Sequence, residues 1–91
     1  MSVTMNGETE PAKQLIDYIQ QKIIRRPGIE ITDETPLVSS GLIDSFALIE
    51  IFLELEKVTK LKIPAAKVRA QDMDTVRLML TMADRMGKPK P

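Results

Sequence analysis

The chain has 91 residues, 43% of them hydrophobic, 29% charged and 3% aromatic, and a chain this short buries only about 60–65% of the surface its unfolded form exposes, enough for one modest core. Without cysteine or histidine it has no disulfide framework, no zinc knuckle, no thiol nucleophile and no imidazole base. Its zero net charge hides an asymmetry: residues 27–56 carry Glu30, Asp33, Glu34, Asp44, Glu50, Glu54 and Glu56 with no base, whereas nine bases face Asp72, Asp74 and Asp84 in residues 57–91.

The N-terminal MSVTMNGETEPAK is polar and has no apolar signal core, so residues 1–10 read as a flexible tail and the expected location is the cytoplasm. From Pro11, which suits a first helical turn, Leu15, Ile16, Ile19 and Ile23 recur at helical spacing. Arg25 and Arg26 suit the negative end of that helix and Pro27-Gly28 stop it, which predicts a first helix near 12–26. Residues 27–44 then form a connection beyond the ~12–15 residues that compact domains usually allow, a length that is often functional. Ile29, Ile31, Leu37, Val38, Leu42 and Ile43 would pin it to the core as an ordered loop. Ile29-Glu30-Ile31 alternates like a strand but has no partner strand.

A second helix is expected over Phe46–Thr59, closed by KLKIP because Pro64 keeps Ile63 out of the helical region. Residues 65–70 predict a short third helix. Asp74 is expected to cap a fourth, with Val76, Met79, Leu80 and Ala83 on one face and Gly87 at its end. The expected architecture is all-α: one four-helix domain over 11–87, its third helix short, followed by a basic disordered end at 88–91. No apolar run reaches the ~18 residues of a membrane span.

On a wheel turning about 100° per residue, Leu48, Ile49, Ile51, Phe52, Leu55 and Val58 are assigned to an apolar arc facing the other helices. Ala47, Glu50, Glu54 and Lys57 lie on the far side, either as a solvated face or as a docking surface for a basic partner. Phe46 and Leu53 sit beside that acidic strip and either pack on the third helix or stay exposed next to Ser45. Asp44 or Ser45 can cap the helix, and neither forms a capping box, since Ala47 and Leu48 stand three residues on. A serine nucleophile needs a base within hydrogen-bond reach, and without histidine triad chemistry is excluded. A helix N-terminus favours an attached anion, which makes Ser45 a better recipient of phosphoryl chemistry than an agent of it.

The stretch G-L-I-D-S-F at 41–46 resembles the phosphopantetheine attachment signature of acyl carrier proteins and peptidyl carrier domains. An acidic second helix, Ile63-Pro64 after it and Thr75-Val76 opening the last helix extend the resemblance over roughly residues 12–86. It implies the acyl-carrier-protein type of bundle and a covalent 4'-phosphopantetheine arm, moved from coenzyme A onto Ser45 by a phosphopantetheinyl transferase whose metal Asp44 helps to position. The thiol of that arm would let a cysteine-free chain do thioester chemistry. An acid activated by an adenylate-forming ligase would ride on it to an acceptor transferase or synthase. Phe46, Ala47, Glu50, Leu53, Glu54 and Glu56 match positions where family members meet partners. Ala47 and Lys57 stand where many fatty-acid carriers have acids, and Lys57, Lys60, Lys62, Lys67 and Arg69 form a basic run. With GLIDSF and QDMDTV, this looks closer to stand-alone carriers such as the D-alanyl carrier proteins. Amino acid and acyl chain both stay open as cargo.

The competing class is a helical protein-interaction module without a prosthetic group, in which Ser45 only caps its helix. An enzyme in its own right lacks the inventory: Asp72-x-Asp74 has neither the glycine nor the terminal Glu of a calcium loop, and no metal site is expected. Nucleic-acid binding has no aromatic in the basic half to stack on bases. Met79, Met82 and Met86 either line a cavity for an acyl chain or are plain core. A monomer is expected.

Overall fold

A computed structural model describes residues 10–25 and 28–89, so residues 1–9 of the expected tail, and Arg26 and Pro27 where the first helix is expected to stop, lie outside the described residues, while Glu10, expected in the tail, opens the first helix. Helix α1 runs over Glu10–Tyr18 with Pro11 in its first turn and Ala12, Leu15 and Ile16 buried. Beyond Tyr18 the winding widens into a π-helix over Ile19–Ile24. It ends on Arg25, whose backbone is left-handed (φ 55°) and whose N–H donates to the Gln20 carbonyl at 3.0 Å. Continued α winding would face Ile23 to the core four residues after Ile19. The wider turn instead buries Ile24 with Ile19 and leaves Ile23 half-buried.

The connection to the next helix is ordered, and Ile29–Ile31 forms no strand. Ile31, Leu37 and Ile43 are buried, as expected of its anchors. Gln20 holds its first part, donating through Nε2 to the Ile29 carbonyl at 2.8 Å. Asp74 holds the second: Oδ1 accepts the amides of Leu37, Val38 and Ser39 at 3.2, 2.8 and 2.9 Å, and Oδ2 accepts the Ser39 hydroxyl at 2.9 Å. Asp74 therefore does not cap the last helix, because the loop takes its carboxylate. Thr75 caps instead, its Oγ1 accepting the Leu78 amide at 3.0 Å. The Arg77 guanidinium pairs with Asp33 at 3.3 Å and Glu34 at 2.9 Å.

Helix α2 spans Ser45–Thr59 and stops on the left-handed Lys60 (φ 59°). Strand β1, Leu61–Lys62, follows it and pairs antiparallel with β2, Lys88–Pro89, in the register Leu61↔Pro89 and Lys62↔Lys88. The first two residues of the end expected to be disordered are thus held in a ladder; Lys90 and Pro91 lie outside the described residues. The expected third helix is two short 3-10 turns, Ala65–Lys67 and Ala70–Met73, separated by extended backbone at Val68 and Arg69. The break has a local cause: the Asp72 carboxylate accepts the Arg69 amide at 3.0 Å and starts the second turn afresh. Helix α3 covers Val76–Met86. The all-α class stands, with three α-helices among the described residues rather than four. Leu15, Ile19, Leu37, Ile51, Leu55, Ile63, Met79 and Met82 form the centre of the core, so Met79 and Met82 are core residues, while Met86 is half-buried.

Candidate functional site

Gly41, whose φ of 80° suits glycine, turns the ordered loop toward α2, and the buried Ile43 donates its N–H to the Leu37 carbonyl at 3.2 Å. Because Asp74 clamps Leu37, it fixes through Ile43 the place where α2 begins. Asp44 has extended backbone (φ −108°, ψ −175°), and its Oδ1 accepts the Ala47 amide at 2.8 Å. Asp44 is the cap. Ser45 is the first residue of the helix, exposed, and its hydroxyl makes no hydrogen bond among the described residues. The second Asp44 oxygen, Oδ2, is equally free there.

Along the outer face of α2, Phe46, Ile49 and Leu53 are 81%, 60% and 59% exposed. Phe46 and Leu53 thus take the exposed alternative. Ile49, expected on the arc that faces the other helices, is instead exposed: two steps of about 100° turn it by about 200° from Ile51, while four steps bring it beside Leu53. Ala47 and Glu54 are half-buried and Glu50 is exposed. The two carboxylates face Tyr18 on α1: burial first, then Glu50 and Glu54, hold its hydroxyl above the usual tyrosine range. Glu56, expected among the partner contacts, is corrected: it is 8% exposed, and its Oε2 accepts the Ile63 amide at 2.8 Å. Its carboxylate is spent inside the fold and unavailable to a docked surface.

Two depressions flank the start of α2. On the α1 side a cleft of about 230 Å³ is lined by Lys22, Leu42, Asp44, Phe46, Ala47 and Glu50 among others. On the other side an apolar groove of about 280 Å³ runs between Leu48, Ile49 and Phe52 of α2 and Val68, Arg69 and Met73 of the 3-10 segment. A larger hollow of about 360 Å³, walled by Lys62, Lys67 and Lys88 over Ile63, Pro64 and Met86, lies by the β pair. The 15 residues of α2, about 1.5 Å apiece, separate it from Ser45.

Sequence reasoning missed Tyr18, Lys22 and Asp74 as neighbours or supports of this site. For Lys22 no signal existed, since the π winding that presents it has no sequence period. For Asp74 the signal was present but ambiguous, because Asp74 and Thr75 are both competent caps.

Among the described residues no group of three or more acids is placed to hold a metal, and no helix is long and apolar enough to cross a membrane. No curated protein and no solved structure matches the chain. Residues 13–83, however, match the family described as phosphopantetheine attachment site. The geometry suits that group, since the helix start offers an exposed hydroxyl that makes no hydrogen bond among the described residues. The chain belongs to this family and is a carrier domain, the attachment site of a covalently bound 4'-phosphopantetheine that a transferase supplies and other enzymes meet.

Proposed function

We propose that Ser45 is the attachment residue and that the chain is a stand-alone carrier, not an enzyme, holding an activated acid as a thioester for partner enzymes of a specialised pathway. One observation carries this: Asp44 caps α2, so the exposed Ser45 hydroxyl has no structural task. That also counts against the rival interaction module, which needs Ser45 as a cap. In the loading step the Ser45 Oγ bonds to the pantetheine-side phosphorus of coenzyme A. The pyrophosphate P–O bond breaks, the adenosine bisphosphate leaves, and the hydroxyl proton passes to a base of the transferase. The free Oδ2 of Asp44 is available to the transferase's metal.

Phe46, Ala47, Glu50, Leu53 and Glu54 form the partner face, together with Ile49. Each large apolar side chain fully buried there contributes about 1.5–3 kcal/mol before the costs of association, and the carboxylates add steering and register. Glu56 is not part of it. Lys57, Lys60, Lys67 and Arg69 are exposed, and this basic end of the surface favours a dedicated adenylate-forming ligase and its acceptor transferase or synthase over the enzymes that serve acidic carriers. The setting is the cytoplasm, where coenzyme A and ATP are at hand, and the working form is a monomer. The apolar groove between α2 and the 3-10 turns favours an acyl cargo over an amino acid.

Intact mass after incubation with coenzyme A, magnesium and a broad-specificity phosphopantetheinyl transferase tests this. The parent chain should gain one phosphopantetheine and Ser45→Ala none. A folded parent that gains nothing overturns the reading.

A further inference from the structure

We infer that the basic hollow at the end of α2 remote from Ser45 is a second docking site, and that its occupant is an acidic segment of a partner protein with an apolar residue between its carboxylates. The hollow has a volume of about 360 Å³ and is lined by Lys62, Ile63, Pro64, Lys67, Met86 and Lys88. Its volume falls within the ~300–1,000 Å³ of ligand-binding clefts. Every charge on its lining is positive.

Three separate elements bring these charges together: Lys62 comes from β1, Lys67 from the first 3-10 turn and Lys88 from β2. Lys62 and Lys88 are direct partners in the ladder, so their side chains leave the same face from Cβ atoms about 4.5–5.5 Å apart. Like charges directly opposite one another weaken such a pair. None of the three lysines makes an ion pair among the described residues, where the pairs found belong to Arg77. Glu56 gives no relief, since its Oε2 accepts the Ile63 amide inside the fold. Two plainer readings cover parts of this basic end. Lys57 and Lys60 stand at the carbonyl end of α2, where the helix dipole favours cations. Lysine on a short edge strand also deters pairing with another chain, which would suit Lys62 and Lys88. Lys67 belongs to no strand and yet lines the same hollow, and neither reading calls for the apolar floor between the three.

That floor decides the occupant. A lipid surface would meet ammonium groups over a concavity, because the exposed large apolar side chains, Phe46, Ile49, Leu53 and Leu78, lie outside the hollow. A nucleic acid needs planes on which to stack its bases, and the chain's aromatics, Tyr18, Phe46 and Phe52, are not among the lining residues. A single small anion would leave ammonium groups unmatched and the floor bare. An acidic segment brings several carboxylates to the exposed Lys62, Lys67 and Lys88 and fills the floor with one aliphatic side chain. Met86 can adapt to its shape, and the opposed charges supply steering and register. A partner held here leaves Ser45 open at the other end of α2, and the site needs no arm on that serine.

The test uses the full apo chain. A fluorescent peptide of glutamates around a central leucine is titrated at low and at high salt, with anisotropy as the readout and amide NMR shifts of the chain locating the contact. Binding should saturate, weaken with salt and shift the amides of Lys62, Ile63, Lys67 and Lys88. A peptide with serine in place of the leucine should bind more weakly. Lys62→Gln, Lys67→Gln and Lys88→Gln combined should weaken binding about tenfold, and Lys57→Gln with Lys60→Gln far less. Lys88→Glu should melt no lower than the parent, since it faces Lys62, and should still lose the peptide, which excludes misfolding as the cause. Absence of saturable binding, shifts centred elsewhere, a serine peptide bound equally well, or an equal loss in the Lys57 and Lys60 variant overturns the inference. Tighter binding of oligothymidylate or of phosphatidylglycerol vesicles through the same lysines overturns it in favour of a nucleic acid or a lipid surface. The same amide shifts on raising the chain concentration alone overturn it in favour of a second copy. Failure of the chain to be loaded would instead refute the attachment reading and leave this result as it stands.

Discussion

The Glu56 carboxylate accepts the amide of Ile63 at 2.8 Å, seven residues on, and both residues are buried at 8% and 2% exposure. The bond spans the left-handed Lys60 and β1, and so fixes how the chain leaves α2 and re-enters the core. Glu56→Ala strands a buried amide, which costs about 1–3 kcal/mol. Glu56→Gln keeps an acceptor oxygen of the same reach and should lose less. Urea unfolding midpoints of the two variants check the order; two equally small losses would remove the strap from the account.

Asp74 makes the fold sensitive to acid. Its carboxyl is held below the usual carboxylate range, first by the Ser39 amide, against an opposing cost of burial, with further help from the Ser39 hydroxyl and the Val38 and Leu37 amides. A carboxyl lowered in the folded state stabilises above its unfolded pKa, and that contribution is lost as pH falls through the folded value. Asp74→Asn should therefore destabilise the chain by about 1–2 kcal/mol at neutral pH and shrink the further loss on acidification. Urea melts of both chains at neutral and acid pH measure this. Parallel acid limbs in the two would locate the sensitivity elsewhere.

Much of this fold is legible because burial follows period and punctuation. Ile31, Leu37 and Ile43 anchor the long loop, Val76, Met79 and Ala83 form the inner face of α3, and Asp44-Ser45 opens α2. The illegible parts are those where two local patterns coexist. Ile19-Gln20-Gln21-Lys22-Ile23-Ile24 offers a core residue at both the fourth and fifth step, and only packing chooses the fifth. Ala65–Met73 has the composition of a helix, but Asp72 bonds back to Arg69 and divides it. Strands of two residues have no period at all, so β1 and β2 leave no mark. Glu56 reads as a solvent-facing carboxylate, since nothing local announces that the Ile63 amide waits seven residues later.

Tyr18 is the sole tyrosine, so its ionisation can be followed by ultraviolet absorbance alone. Burial and then the Glu50 and Glu54 carboxylates raise its pKa. The folded state thus holds the phenolic proton more tightly than the unfolded state, and this stabilisation is lost as pH rises through the folded value. Glu50→Gln and Glu54→Gln should each move the absorbance midpoint toward that of the unfolded chain. An unmoved midpoint in both would leave burial as the whole cause and place the carboxylates away from Tyr18.

Gly87 ends α3 where the chain turns into β2, and no side chain fits there. A Cβ built on it would stand 2.5 Å from the Ala83 carbonyl oxygen and 2.9 Å from Leu61 Cβ. The first contact is with backbone, which cannot rotate away. Gly87→Ala should cost about 1–3 kcal/mol and loosen the pairing of Leu61–Lys62 with Lys88–Pro89. Hydrogen exchange at the β1 amides would show it. Unchanged protection with unchanged stability would mean that α3 ends differently.

The two residues at the mouth of α2 should separate by what each one does for the fold. Asp44 accepts the Ala47 amide, so Asp44→Ala removes a cap and should cost about 0.5–2 kcal/mol. Ser45 makes no such bond among the described residues, and alanine is the better helix former at an exposed position. Ser45→Ala should therefore fall within about 0.5 kcal/mol of the parent, on either side. Thermal melts of the apo chains decide it. A loss in Ser45→Ala as large as in Asp44→Ala would return the serine to the role of a cap and weaken the case that its hydroxyl is kept for a transferase. The opposite pattern, a stable chain that has lost only its capacity to be loaded, is what a presenting serine requires.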